Sequence, residues 1–435
     1  RSSVRQREPS SVLLEAAAAL GRPHAAKGTP SPVIPDADGL RRDSFVPARR
    51  DALAARFASP VSDTAWIDRT GSRSHAGAVP ASWLGTLAMD LERVRTLLAS
   101  DALGPSDGVL DPGGPLPAVP GLEAGSPLSA SRLRRLLECP HAFLLEHLLH
   151  LGEPDEAALL REIDALSYGS LFHEAAAAFY SEHGHEFCAR NKSLSKWQTL
   201  SAAFANDAFD AFIRWYPLVG KLVIEQQRRR LARDLERLLK HDWADGLPRK
   251  HHGVEIPFGY DRPLAIAGNA APPLHVHGYI DRVDVDGHRT LVQDLKTGKV
   301  KPRAGRNKAP QPVLDVQIAL YGMAVKQLAG AWSLPESVGA TYVHLAGSSG
   351  AERAFVDDFE ALETAAKTWV DVASGLLEAR AFPRTPDASD CTWCPFEPVC
   401  GPDAANRSAA RLAAAGKACA SFLDLRAGLE TEEDE

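Results

Sequence analysis

The chain has 435 residues, enough for two or three domains, and an apolar content of 45% supports a sizeable core. A net charge of −7 excludes a uniformly basic nucleic-acid coat while leaving room for local positive potential. No apolar run reaches membrane-spanning length. The stretch from Val12 to Leu20 is interrupted by Glu15 with no cleavage site after it, so neither a span nor a signal peptide is expected and the chain reads as cytoplasmic.

The sequence starts at Arg1 rather than methionine, as expected of a fragment or processed piece of something longer. Residues 1–100 show apolar helical patches broken by Pro and Gly, carry no recognisable site chemistry, and read as a remnant of a preceding domain. Residues 101–127, rich in Pro, Gly, Ser and Asp, read as a linker. Helical spacing runs from Ser129 to Leu151, with Ser129 or Ser131 as N-cap and Cys139 inside. Helices continue to about residue 240, including a long amphipathic stretch from Leu200 to Trp243 that contains Arg228, Arg229, Arg230 and Arg233, either a phosphate contact or a solvated face.

A strand near Val254–Tyr260 follows; its Glu255 is either an acid behind a metal site or a strand-edge charge. Asp286-Gly287 between β-branched runs is a strong hairpin signal. A two-residue loop at 286–287 pairs Val285 with His288 and Asp281 with Val292, placing Asp294 diagonal to Asp281. Asp281, Asp294 and Lys296 then project to one side within roughly 7–8 Å, at the end of a face that also carries Val283, Val285 and Val292. Charges on an apolar face need a partner, and Mg²⁺ takes one or two carboxylates together with waters and phosphate oxygens, leaving a lysine to hold water. The plainer alternative is a surface hairpin with an Asp–Lys pair.

After the hairpin, Lys299, Lys301, Arg303, Arg306 and Lys308 occur with no acid among them, and Pro302, Gly305 and Pro310 keep that segment a loop. This loop is expected to contact phosphates. A helix follows with Gln317 and Tyr321 at i, i+4 on one face. Val338–Leu345 reads as a strand and Asp357–Ala379 as a helix leading to Cys391, Cys394 and Cys400. Residues 403–435 read as a helix and an acidic, disordered tail, and no internal repeat occurs.

The run Gly278-x-x-Asp281-Arg282-x-Asp284, followed by Asp294-x-Lys296-Thr297-Gly298, resembles the core of the PD-(D/E)XK nuclease superfamily and specifically its RecB-like branch. Three more elements match in order over roughly 126–402: Gly169-x-x-x-His173 opening an alanine-rich helix, the Gln317/Tyr321 pair, and Cys139-Pro140 with Cys391-x-x-Cys394-x5-Cys400. The last resembles the iron–sulfur nuclease domain of AddB-type helicase–nuclease subunits and also the CRISPR adaptation nucleases. The middle acid is Asp294 where many relatives carry Glu.

The resemblance implies an α/β, restriction-endonuclease-like mixed central sheet flanked by helices over 128–402, with a largely helical N-terminal region and a C-terminal cysteine cluster. It implies that Asp281, Asp294, the Leu295 carbonyl and His173 hold Mg²⁺ or Mn²⁺, that Lys296 positions or activates water, and that Gln317 and Tyr321 face the site and the DNA backbone. Products would carry 5′-phosphate and 3′-hydroxyl ends.

Thiols of a chain without a secretion signal stay reduced, so four cysteines read as a metal or redox site rather than disulfides. Cys139, Cys391, Cys394 and Cys400 suit Zn²⁺ or a cluster. Zinc ribbons usually take two local pairs, whereas here one ligand lies some 250 residues before the others, and the family's habit is a [4Fe–4S] cluster. Closing that loop is worth on the order of 5 kcal/mol by chain entropy. Cys188 and Cys419 fall outside the pattern and read as ordinary thiols.

The expected function is a metal-dependent DNA nuclease acting on single-stranded ends in recombinational repair. No Gly-x4-Gly-Lys-Ser/Thr loop occurs, so a helicase subunit, or a helicase domain outside this chain, would supply unwinding. Two alternatives are a catalytically silent DNA-binding subunit and a CRISPR-adaptation-type nuclease.

Overall fold

The computed structural model describes residues 103–104, 107–111, 119–152, 162–216, 218–244, 249–298, 310–345, 351–354, 359–401 and 403–430. Residues 1–100 and the basic segment 299–309 lie outside them.

A mixed seven-stranded sheet organises the chain. Its longest strand, β4 (Leu274–Asp286), pairs with β1 (Leu128–Ser129), β2 (Lys250–Phe258), β3 (Leu264–Ile266) and β5 (Arg289–Lys296). Beyond β5 lie β6 (Ser337–His344), parallel to it, and the antiparallel β7 (Ala351–Ala354). One face is covered by α1 (Ala130–Glu138), α5 (Pro312–Trp332) and α6 (Phe359–Glu378), whose apolar residues pack with Val283, Val292 and Ala340. The other is covered by α2 (Ala165–Cys188), α3 (Leu194–Phe212) and α4 (Lys221–Ala244), packed with Leu295 and Val343. This two-layered covering of a mixed sheet is the restriction-endonuclease-like arrangement, and it explains why β5 and β6 are apolar on alternate sides.

The hairpin register differs from expectation by one pair. Asp286 pairs with Arg289 and Arg282 with Gln293, so the turn is Gly287-His288, and the same register carried one residue beyond the last pair sets Asp281 opposite Asp294 rather than diagonal to it. Gly287 takes φ +61, the left-handed conformation that a tight hairpin turn requires and glycine adopts freely. Moving the turn by one residue shifts the pairing by two along the opposite strand, so every side chain keeps its face. Helical spacing over Leu200–Trp243 resolves into α3 and α4, because Pro217 lacks an amide donor and Gly220 turns the chain at φ +99. Part of the segment read as a linker packs on this domain: Asp107 is buried with Arg384 at 3.1 Å and Arg411 at 3.2 Å, and the Leu110 N–H donates to the Arg380 carbonyl. Beyond 402, α7 (Ala404–Leu412) and α8 (Lys417–Glu430) form two helices, with Leu412, Cys419 and Phe422 in the main core.

Alternation along β4 sends Asp281 and Arg282 to opposite sides. On the α2–α4 side, Arg282 is 1% exposed and ion-paired to Asp242 of α4 and, at 2.6 Å, to Asp284. The Arg282 guanidinium lies 3.9 Å from the centre of the Tyr180 ring. Asp284 also contacts His251 Nδ1 at 2.9 Å and accepts from Gln293 Nε2 at 3.0 Å. Burial alone would raise both carboxyls, but the guanidinium holds Asp242 and Asp284 below the ordinary range. Removing one member strands the others without hydration. We expect Arg282→Met to cost about 3–5 kcal/mol of folding free energy in urea denaturation, the cost of breaking a buried ion pair; a loss below about 1 kcal/mol would show the network is dispensable.

Candidate active site

Asp281 and Asp294 end up buried on neighbouring strands because each belongs to the α5-facing side of the sheet, near the end of β5. Asp294 is 0% exposed, and its Oδ1 has no hydrogen-bond partner among the described residues. Its compensation is ionic: Lys296 Nζ lies 2.6 Å from Asp294 Oδ2. Asp281 accepts from the Leu295 N–H at 2.7 Å. Burial, reinforced by the neighbouring Asp294, pushes the Asp281 carboxyl up to about 7. Burial raises Asp294 as well, against the pull of Lys296 and His173.

His173 approaches from α2 over the end of β5. Its Nε2 donates to the Leu295 carbonyl at 2.9 Å, while Nδ1 lies 3.5 Å from Asp281 and 3.8 Å from Glu255. Burial opposes its charge, but Glu255, Asp281 and Asp294 together raise the imidazole to about 9. Glu255 reaches this position through an irregular strand: the β2 register slips between His251 and Gly253, and Glu255 takes φ +46. A left-handed glutamate costs on the order of 1–3 kcal/mol, which the surrounding pairing must offset. Glu255 was legible only as an acid on a strand, because nothing in the sequence announces the slip that aims it.

Lys296 Nζ donates to Gln317 Oε1 at 3.1 Å, and Gln317 Nε2 donates to the Tyr321 hydroxyl at 3.0 Å. The i, i+4 pair on α5 therefore gives the lysine a second partner besides Asp294. Tyr321 packs edge-on to Phe258. Gly278 makes room for the Phe258 ring, since a Cβ there would lie 3.0 Å from Phe258 Cζ. The structure thus brings together Asp281, Asp294, Leu295, Lys296, His173, Gln317 and Tyr321. Lys299, Lys301, Arg303, Arg306 and Lys308 fall outside the described residues.

A second assembly gathers the cysteines. Cys139 sits at the break after α1, Cys391 ends a short turn at Ala388–Cys391, and Cys400 ends another at Glu397–Cys400. Cys139 and Cys394 pack around Ala142, Leu145 and Phe396. Burial pushes the Cys139 thiol up to about 12, with Cys400 and Cys394 close enough to raise it further. Residues far apart in sequence thus share one locus, and none is in a disulfide.

A family model described as the PD-(D/E)XK nuclease superfamily matches residues 127–401. The chain belongs to the PD-(D/E)XK nuclease superfamily. No curated protein matches it at a significant level. Nucleases of this superfamily generally use divalent metals, and the residues here fit such an ion. His173, Glu255 and Asp281 offer ligand atoms within 4.8 Å of one another, beside a buried carboxylate with unused lone pairs. Oxygen donors with one imidazole suit Mg²⁺ or Mn²⁺. Cys188, His251 and Asp284 are equally close, but the Arg282 guanidinium already contacts both Asp284 and Cys188. In that place a side chain supplies the positive charge. Among the described residues no helix is long and apolar enough to cross a membrane.

The proton inventory sets a pH dependence for metal binding. Below about 7 a cation must displace the Asp281 proton, and an imidazole ligand must lose its own below about 9. Calorimetric Mn²⁺ affinity should therefore climb steeply up to pH 7 and more gently to pH 9. A plateau from pH 7 upwards would remove His173 from the ligand set.

Proposed function

We propose that the protein is a metal-dependent deoxyribonuclease of the RecB-like branch that cuts single-stranded DNA ends during recombinational repair. The observation that carries this reading is the meeting of Asp281, Asp294 and the Leu295 main chain with a lysine held by two partners. Asp281, Asp294, the Leu295 carbonyl and His173 would hold Mg²⁺ or Mn²⁺, which supplies Lewis-acid stabilisation of charge developing on the phosphate. Lys296, held by Asp294 and Gln317, orients the attacking water and offsets part of the negative charge developing at the scissile group. Tyr321, through Gln317, keeps the ammonium from swinging into solvent. Glu255 holds the His173 ring in place.

The four cysteines hold a [4Fe–4S] cluster in this reading. The lone Cys139 and the group at Cys391, Cys394 and Cys400 clasp the first and last helices of the nuclease domain, as in AddB-type subunits. The sequence holds no phosphate-binding motor loop, so strand separation falls to a helicase partner or to chain outside this sequence.

Anaerobically purified protein should be brown, contain about four irons per chain, and degrade single-stranded DNA in Mg²⁺. Lys296→Ala should slow cleavage by about 10²–10⁴-fold, and Asp294→Ala should leave only background. Turnover undiminished in both variants would refute the active site. DNA binding without turnover in the wild type would identify a silent subunit. A colourless zinc protein would overturn the cluster and leave the nuclease standing.

A further inference from the structure

An open groove leads into the site along α2, from Leu166 past Gly169 and Ser170 to His173 and Lys296. Its far end is fixed to the α3–α4 turn: the Tyr216 hydroxyl accepts from the Asp164 N–H at 3.2 Å and donates to the Asp164 carboxylate at 2.9 Å, at the N-cap of α2. Next to this anchor in sequence stands Trp215, 69% exposed; Leu222, in the first turn of α4, is 87% exposed and Leu166, in the first turn of α2, 83%. Large apolar groups gathered on a surface mark a contact site more often than chance. Trp215 is also braced, edge-on to Phe212 at 4.7 Å, and Phe212 in turn stacks on Tyr216 at 4.6 Å. A tryptophan held upright on an aromatic floor loses little entropy when a flat partner settles on it.

The charges around it choose the partner. Arg214 and Lys221 are exposed and make no ion pair within 4 Å among the described residues; Arg214 shares the field of Asp210 with Arg228, which contacts that carboxylate at 2.5 Å, and Asp164 is taken by Tyr216 and Ser167. An exposed aromatic face on a turn that also carries two exposed cations, Arg214 beside it in sequence and Lys221 at the start of α4, matches an unpaired base between phosphates. From Leu166 to His173 the helix covers seven residues, about 10 Å, so the platform and the cutting site lie within reach of one short extended strand.

Resting on the nuclease reading above, we propose that Trp215 is a stacking platform for an unpaired nucleobase, with Arg214 and Lys221 on the adjoining phosphates. The strand passes over the α3–α4 turn and runs along α2 to Lys296. Bases in a duplex have both faces covered, so the platform selects single strands without reading their sequence.

The test is fluorescence anisotropy of labelled oligothymidylate on the full chain in Ca²⁺, with cleavage followed separately in Mg²⁺. Trp215→Ala should weaken binding by about 5- to 150-fold, the range for losing one base–aromatic stack, and raise KM with kcat little changed. Trp215→Phe should retain most of the affinity. An abasic position placed across the oligonucleotide should at one register weaken the wild type and erase the difference from Trp215→Ala. The pair Arg214→Ala and Lys221→Ala should flatten the logarithmic salt dependence by about 1.4, two phosphate contacts on a single strand.

Wild-type binding and cleavage in Trp215→Ala would overturn the platform and leave the nuclease reading intact. Tight single-strand binding that depends on Trp215, with no cleavage, would refute the nuclease reading alone. A wild type that neither binds nor cuts single strands would refute both. Self-association lost in Trp215→Ala, with oligonucleotide affinity unaltered, would assign the patch to contact between copies and end the proposal.

Discussion

Placing two carboxylates side by side inside a sheet is costly, because burial removes their hydration while each raises the energy of ionising the other. In this chain that cost falls at Asp281 and Asp294, and the neighbouring groups follow from it. Lys296 stands against Asp294, the Leu295 N–H against Asp281, and the His173 imidazole among Asp281, Glu255 and the Leu295 carbonyl. Even so, Asp294 Oδ1 has no hydrogen bond among the described residues. A divalent cation would satisfy what these partners do not, so in the proposed reading the feature that weakens the fold is also the one that attracts a metal.

The reverse side of the same strands shows how such a site is kept rigid. Arg282 and Asp284 alternate with Asp281 along β4, and they join Asp242, His251 and Gln293 in a network excluded from water. One strand therefore carries an acid of the candidate metal site on one side and its anchor on the other. The dense run of charges from Asp281 to Asp284 contains two separate devices. Only one of them has room for a metal's charge, since the guanidinium of Arg282 already neutralises the other.

The hairpin and the shared face of Asp281, Asp294 and Lys296 were legible because strand alternation has a fixed period and Asp-Gly favours a tight turn. The turn's position was not, since Asp286-Gly287 and Gly287-His288 both supply a left-handed residue and only the packed sheet selects between them. The i, i+4 spacing of Gln317 and Tyr321 gave their common direction, but their link to Lys296 depends on how α5 crosses β5. Glu255 stayed ambiguous because a register slip re-aims it. The break between α3 and α4 was visible in Pro217 and Gly220, yet amphipathic spacing on both sides concealed it. Packing of Asp107 against Arg384 and Arg411 could not be read from composition, which sees a Pro- and Gly-rich stretch and not its distant partners.

Anomalous diffraction from crystals soaked in Mn²⁺ tests the central claim most directly. The expected result is a peak bridging the carboxylates of Asp281 and Asp294 beside the Leu295 carbonyl. A protein in which manganese binds elsewhere, or in which these two side chains ligate no common ion, would contradict it.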